Sequence, residues 1–260
     1  MIAIIKYNAG NIKSVENALH RLGFDCQVTD NPDAILSAEK VIFPGVGEAS
    51  TAMDYLKKHN LDELIKSLKQ PTLGVCLGQQ LMCRFSEEGD TTCLGIFNAD
   101  VKKFPPLELV PHMGWNNLEN LKGKLFDGID DSDNVYFVHS YYAELSDETI
   151  AACRYILPFS AAMQKDNFYA TQFHPEKSAG VGEKILKNFL AILIILLSFL
   201  VNYKLALTIG IVAFIYFISQ FYYDLGFTLL TKSILLFSSG IIFILFYFLT
   251  HKKLESNEEV

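Results

Sequence analysis

Gly74-Val75-Cys76-Leu77-Gly78-Gln79-Gln80 is the stretch that decides how this chain is read. The apolar run at residues 72–75 suits a buried strand, and a helical pattern takes over at Gln80, Leu81 and Met82. Cys76 therefore falls on a sharp strand-to-helix turn, flanked at two residues' distance by Gly74 and Gly78. Such an elbow holds a nucleophile at the head of a sheet. A helix that begins there points unpaired N–H groups and the positive end of its dipole at the sulfur. Both favour the thiolate, the form that attacks. A buried structural cysteine is the competing account, because most free cysteines are core residues.

Working outward, residues 2–5 are apolar without alternation, as in a strand covered on both faces. Asn8-Ala9-Gly10-Asn11 reads as a turn, and Val15, Ala18, Leu19 and Leu22 mark one helical face that Gly23 ends. Strands are expected at residues 24–28 and 41–43, the latter closed by Pro44-Gly45-Val46-Gly47, and helices at 50–59 and 61–68. This β-α-β-α rhythm predicts an α/β fold, a mostly parallel sheet flanked by helices. Ligands bind such sheets beyond the carboxyl ends of the strands, so Gly45–Gly47 and Cys76 are expected to share one mouth.

From about residue 93 to 146 short strand-like runs (94–97, 101–104, 134–142) alternate with turns, and Pro105-Pro106 breaks any helix. A mixed or antiparallel extension of the sheet is expected. The sole tryptophan, Trp115, lies in Pro111-His112-Met113-Gly114-Trp115-Asn116, read as a loop. Core packing is its default role and a contact surface the alternative. An alternating strand at residues 168–173 leads into His174-Pro175-Glu176. In an extended segment residues two apart point the same way, so Glu176 can orient His174 as the base of a nucleophilic triad with Cys76. A final helix is expected near Glu183.

Composition narrows the function classes. The net charge is −7. From Leu190 onward four lysines offset four acidic residues, so the whole imbalance lies in the preceding part. An acidic globular part argues against nucleic acid as a partner. The five cysteines are irregularly spaced, with no CxxC pair, which argues for a reducing cytosol and against a zinc site. The first residues are too short and too soon polar for a signal peptide.

At Phe189 the composition changes. Apolar runs at residues 189–201, 205–223 and 233–249 approach the roughly 20 residues that span a bilayer. A buried helical hairpin is the alternative. Two domains are expected, a globular one over residues 1–189 and a hydrophobic all-α tail over 190–260. The tail would hold two or three membrane-spanning helices, with membrane association through residues 190–249. The join carries no Gly/Ser/Pro linker, which favours an accidental fusion over a dedicated anchor.

Taken together, the cysteine elbow, Pro44–Gly47 and His174-Pro175-Glu176 resemble the class I glutamine amidotransferases, whose sheet is flavodoxin-like. With Tyr7–Asn11, the PHMGWN segment and the Gln172–Ser178 segment, the chain looks most like the glutaminase subunits of histidine biosynthesis. The resemblance runs from Met1 to about Phe189. It implies a Cys76–His174–Glu176 triad that hydrolyses glutamine through a glutamyl thioester, without a cofactor. It implies backbone oxyanion donors near Gly47 and at Leu77, and Gln80, Ser140 and Tyr141 around the substrate. It also implies a (β/α)8-barrel cyclase partner that receives ammonia and makes imidazole glycerol phosphate, with Asn11, Trp115 and Lys177 facing it. The globular part would be cytoplasmic. The tail weakly resembles the end of a multi-spanning bacterial membrane protein of unknown function. Competing readings are an inactive amidotransferase-like binding module on a membrane protein, an amidotransferase of another pathway, and a cysteine peptidase.

Overall fold

The computed structural model describes residues 1–200, with side chains through Ala191. The chain divides into compact units Met1–Leu193 and Ile194–Val260. The first unit opens with β1 (Ile2–Ile5), α1 (Ile12–Arg21), β2 (Cys26–Thr29), α2 (Pro32–Leu36) and β3 (Lys40–Gly45). Next come α3 (Ala49–Lys58), α4 (Leu61–Ser67), β4 (Thr72–Cys76) and α5 (Leu77–Met82). Short strands β5 (Phe85–Ser86), β6 (Thr91–Thr92) and β7 (Asp100–Lys103) follow, then β8 (His112–Asn117), β9 (Asn134–His139) and β10 (Tyr141–Ala143). The remaining elements are β11 (Thr149–Tyr155), β12 (Leu157–Lys165), β13 (Phe168–Thr171) and α6 (Ala179–Leu200), which begins in the first unit and runs past Leu193.

Seven strands form the main sheet in the order β11-β12-β13-β4-β3-β1-β2. The five from β13 to β2 run parallel, and β12 and β11 extend the sheet antiparallel. The unbroken apolar runs follow from cover on both faces. Ala3, Ile5, Val41 and Phe43 pack into one buried cluster with residues of α3, α4 and α5. Ile2, Ile4, Ile42, Leu73 and Val75 turn the other way, against α1 and α6. Parallel pairing sets Gly45 of β3 opposite Cys76 of β4, and Thr171 of β13 opposite Val75. Three strand ends thus meet at one rim.

Several expectations are corrected. The run at residues 94–97 is not a strand; β5 and β6 lie just before it. The run at 134–142 breaks at Ser140 into β9 and β10, which join different sheets. The segment read as a loop around Trp115 is strand β8, paired antiparallel with β9. Trp115 is 54% exposed and not part of the core. The last helix begins at Ala179, four residues before Glu183.

A membrane-spanning helix starting at Phe189 is not found. Phe189 and Leu190 are buried in the core of the first unit. Among the described residues no helix is long and apolar enough to cross a membrane. The apolar runs at residues 205–223 and 233–249 lie outside the described residues.

Candidate active site

The turn at Cys76 is built by close approach. Cys76 has φ 55° and ψ −105°, a conformation an L-residue holds only when its surroundings impose it. They do so here through two glycines. A Cβ on Gly78 would sit 1.9 Å from the Phe43 carbonyl oxygen, and one on Gly74 would lie 2.9 Å from Met82 Sδ. Helix α5 therefore packs directly on β3, and its first turn opens beside the sulfur.

His174 follows β13 at the same rim. Its Nδ1 donates to Glu176 Oε1 at 2.8 Å, and both side chains are buried. The expected route to this contact was an extended segment, but Pro175–Lys177 is a turn of 3-10 helix. That turn, fixed by Pro175, brings Glu176 back onto the ring. Burial alone would lower the His174 pKa. The adjacent Cys76 sulfur and the Glu176 carboxylate outweigh it and push it up to about 10. Burial would likewise raise Glu176, but the bonds from His174 and Asn11 hold its carboxyl below the usual range. Nε2 of His174 is buried without a hydrogen-bond partner among the described residues, so the contact with Cys76 is not closed into a bond. Long catalytic bonds of this kind are common before substrate arrives.

Asn11, assigned by resemblance to the partner face, turns its amide inward. Its Nδ2 donates to Glu176 Oε1 at 2.6 Å. This costs it the usual capping role: Asn11 precedes α1 with φ 70° and caps nothing with its side chain. Trp115 and Lys177 are exposed, and Trp115 meets Tyr136 edge-on at 5.9 Å.

A cavity of about 280 Å3 opens over Cys76. Gly47, Leu77, Gln80, Ser140 and Tyr141 all border it, with Val46, Glu88, Pro111, Val138 and His139. The two residues named for oxyanion donors and the three named for substrate thus share one cavity with the cysteine. Gln80 Nε2 donates to Tyr141 O at 2.9 Å and to Gln172 Oε1 at 3.0 Å. Both amide hydrogens are committed, which leaves its oxygen for a ligand. Gln172 Nε2 in turn reaches Cys76 Sγ at 3.7 Å. Sequence reasoning missed Glu88 and His139. Glu88 accepts the Ala49 N–H at 2.8 Å, and burial holds its carboxyl above the usual range. Among the described residues it is the one carboxylate on the cavity wall, and it suits an ammonium group. Its sequence context, Glu87-Glu88-Gly89-Asp90, reads as an ordinary solvated charge cluster.

This fold and site define a class: residues 3–193 match the family model for glutamine amidotransferase class-I, and the chain belongs to that family. Among curated relatives, the imidazole glycerol phosphate synthase subunit HisH of Bacteroides fragilis is 60% identical over 192 residues, covering 73% of this chain and 98% of that protein. The HisH protein of Escherichia coli (strain K12) is 47% identical over the same share of each. A glutamine amidotransferase from Thermotoga maritima, known from its crystal structure, superposes with a TM-score of 0.51 at 18% identity, covering 74% of this chain and 83% of that one. That likeness shows the fold alone. A second family model, described as a domain of unknown function (DUF4401), matches residues 187–253.

Proposed function

We propose that residues 1–193 are the glutamine-hydrolysing subunit of an imidazole glycerol phosphate synthase, with Cys76 as nucleophile, His174 as proton carrier and Glu176 as its orienter. The observation that carries this reading is the strained Cys76 turn at the mouth where the buried His174–Glu176 pair also ends. His174 Nε2, its basicity raised by the Cys76 sulfur and the Glu176 carboxylate, takes the Cys76 proton. The thiolate attacks the side-chain amide carbon of glutamine. His174 gives its Nε2 proton to the departing nitrogen, releasing ammonia and leaving a glutamyl thioester. The neutral ring then takes a proton from water as that water attacks the thioester, and glutamate leaves. N–H groups of Gly47 and Leu77 face the oxyanion, each such donor being worth about 3 kcal/mol of barrier. Glu88 and the Ser140–Tyr141 wall hold the α-ammonium and α-carboxylate of the substrate.

Ammonia would pass to a (β/α)8-barrel cyclase docked over Trp115 and Lys177. The support for this partner is the name of the relatives and the exposure of Met113 and Trp115 on β8. Membrane association through the apolar runs at residues 205–223 and 233–249 rests on their composition, and partition of the full chain into alkali-washed membranes tests it.

Glutamate release from glutamine, measured with and without added cyclase, tests the function. Cys76→Ala is expected to abolish release, and the cyclase to raise the wild-type rate. Turnover unchanged by Cys76→Ala would overturn the mechanism, and a rate indifferent to the cyclase would overturn the partner.

A further inference from the structure

His112 of β8 and His139 of β9 face each other directly across the two-stranded sheet. Both are buried, and neither has a place in the triad. His139 Nδ1 lies 2.7 Å from the Tyr141 carbonyl oxygen, which can only accept, so Nδ1 carries the proton. In the neutral ring Nε2 is then an acceptor. It sits 3.1 Å from His112 Nδ1, which must donate. His112 Nε2 is left as an acceptor, and Asn116 Nδ2 approaches it at 3.4 Å. The Asn116 amide is oriented by two further bonds, Nδ2 to Arg154 O at 3.2 Å and Asn117 N–H to Oδ1 at 2.9 Å. Every proton in the run is fixed, and all donate in one direction, from Asn116 to His112 to His139 to Tyr141 O.

The far end of the run is the wall of the glutamine cavity. Tyr141 O receives His139 Nδ1–H and Gln80 Nε2–H, which fill both lone pairs. Ser140 O accepts the Phe104 N–H at 3.0 Å. Through Gln80 and Gln172 the same bonds continue to Cys76 Sγ. Ser140 itself lies between the β9 and β10 ladders, with His139 paired to His112 and Tyr141 to Lys103, so the side-chain bonds add to the backbone pairing at this break.

We infer that His112 and His139 are positioning residues: a pair of neutral imidazoles, each locked in its Nδ1–H tautomer, that fixes the Ser140–Tyr141 wall for glutamine binding. The pair needs both rings neutral. A proton on His139 Nε2 would face the His112 Nδ1–H, and one on His112 Nε2 would face the Asn116 amide hydrogens. Burial keeps both pKa values down, to about 4 for His112 and about 3 for His139. The ring stack of His112 on Tyr155 at 4.1 Å and on Phe137 at 4.8 Å holds the geometry from the sides.

The inference rests on glutamine being the substrate, and the experiment separates the two. In the full chain, His139→Phe keeps the ring and removes both bonds. His139→Asn places an amide N–H where Nδ1 was and keeps the bond to Tyr141. His139→Phe is expected to raise KM for glutamine about tenfold, the equivalent of one buried hydrogen bond, with kcat nearly unchanged. His139→Asn is expected to bring KM back to within about threefold of wild type. A packing role alone would lower Tm in both variants and leave KM where it was. Nitrogen-15 NMR of the wild-type chain is expected to show two neutral Nδ1–H rings at neutral pH. An unchanged KM in an active His139→Phe enzyme overturns the inference, as does an Nε2–H tautomer or an imidazolium. If His139→Phe does not fold, the tautomers decide alone. A wild-type chain that releases no glutamate overturns the proposed function instead, and the tautomer result still stands.

Discussion

Gly78→Ala tests the elbow at its tightest point. The added Cβ would lie 1.9 Å from the Phe43 carbonyl oxygen and 3.0 Å from its carbon, backbone atoms that cannot swing aside. Real Cβ contacts stop near 3.0 Å, so helix α5 and strand β3 must part by about 1.1 Å. Overpacking of this kind costs about 1–3 kcal/mol of stability. The larger effect is on activity. Phe43 lies two residues before Gly45, which pairs with Cys76, so the shift is passed to Gly47 on one side and Leu77 on the other. A misplacement of about 1 Å at a reacting centre costs on the order of a hundredfold in rate. Urea unfolding gives the stability change, and glutamate release under saturating glutamine gives kcat. Wild-type kcat in a folded Gly78→Ala enzyme would refute the claim that this close approach sets the catalytic geometry.

Two predictions concern pH. The folded pKa values of His112 and His139 lie below the ordinary value of about 6.5, so the unfolded chain binds more protons as the solution is acidified. Stability should therefore fall from about pH 6.5 toward pH 4, by up to about 1.4 kcal/mol per pH unit for each ring, and His112→Phe should flatten that slope in urea titrations. Lys40 behaves in the opposite range. Burial lowers its pKa to about 8, so its own contribution to stability should rise between about pH 8 and pH 10.5 as the folded lysine sheds its proton first, against the opposite slope of His174 up to about pH 10. Lys40→Met should lack that rise, and an identical alkaline profile in the two proteins would contradict the assignment.

The parallel sheet and its mouth were legible because their signals are local. Unbroken apolar runs at residues 2–5 and 72–75, the glycines around Cys76 and the Pro44–Gly47 closure each report their own backbone. Strands β11 and β12 gave no such signal. Ala151, Ala152, Ser160, Ala161 and Ala162 are small residues of weak strand preference, and Pro158, the second residue of β12, is disfavoured in strands. Their pairing comes from partners far along the chain. The same holds for β8, whose exposed Met113 and Trp115 alternate with inward His112 and Asn116 only once β9 lies beside it. Within the site, His174 and Glu176 were readable as a pair, though the turn that joins them was not. Asn11 was named only for the partner face, and its bond to Glu176, like Glu88 with its bond to Ala49, was hidden because each meets its target across a gap of sequence. No periodicity records such contacts.

Lys40 also bears on how this fold tolerates additions. Its buried ammonium donates to the carbonyls of Phe189 and Leu190, at 2.9 and 2.6 Å, and so clamps α6 to the first residue of β3. Gly45, beside the nucleophile, is the last residue of the same strand. Five steps of about 3.3 Å separate the clamp from the chemistry by about 17 Å. The sheet therefore has one rim for catalysis and an opposite rim where the polypeptide leaves the core already tied down.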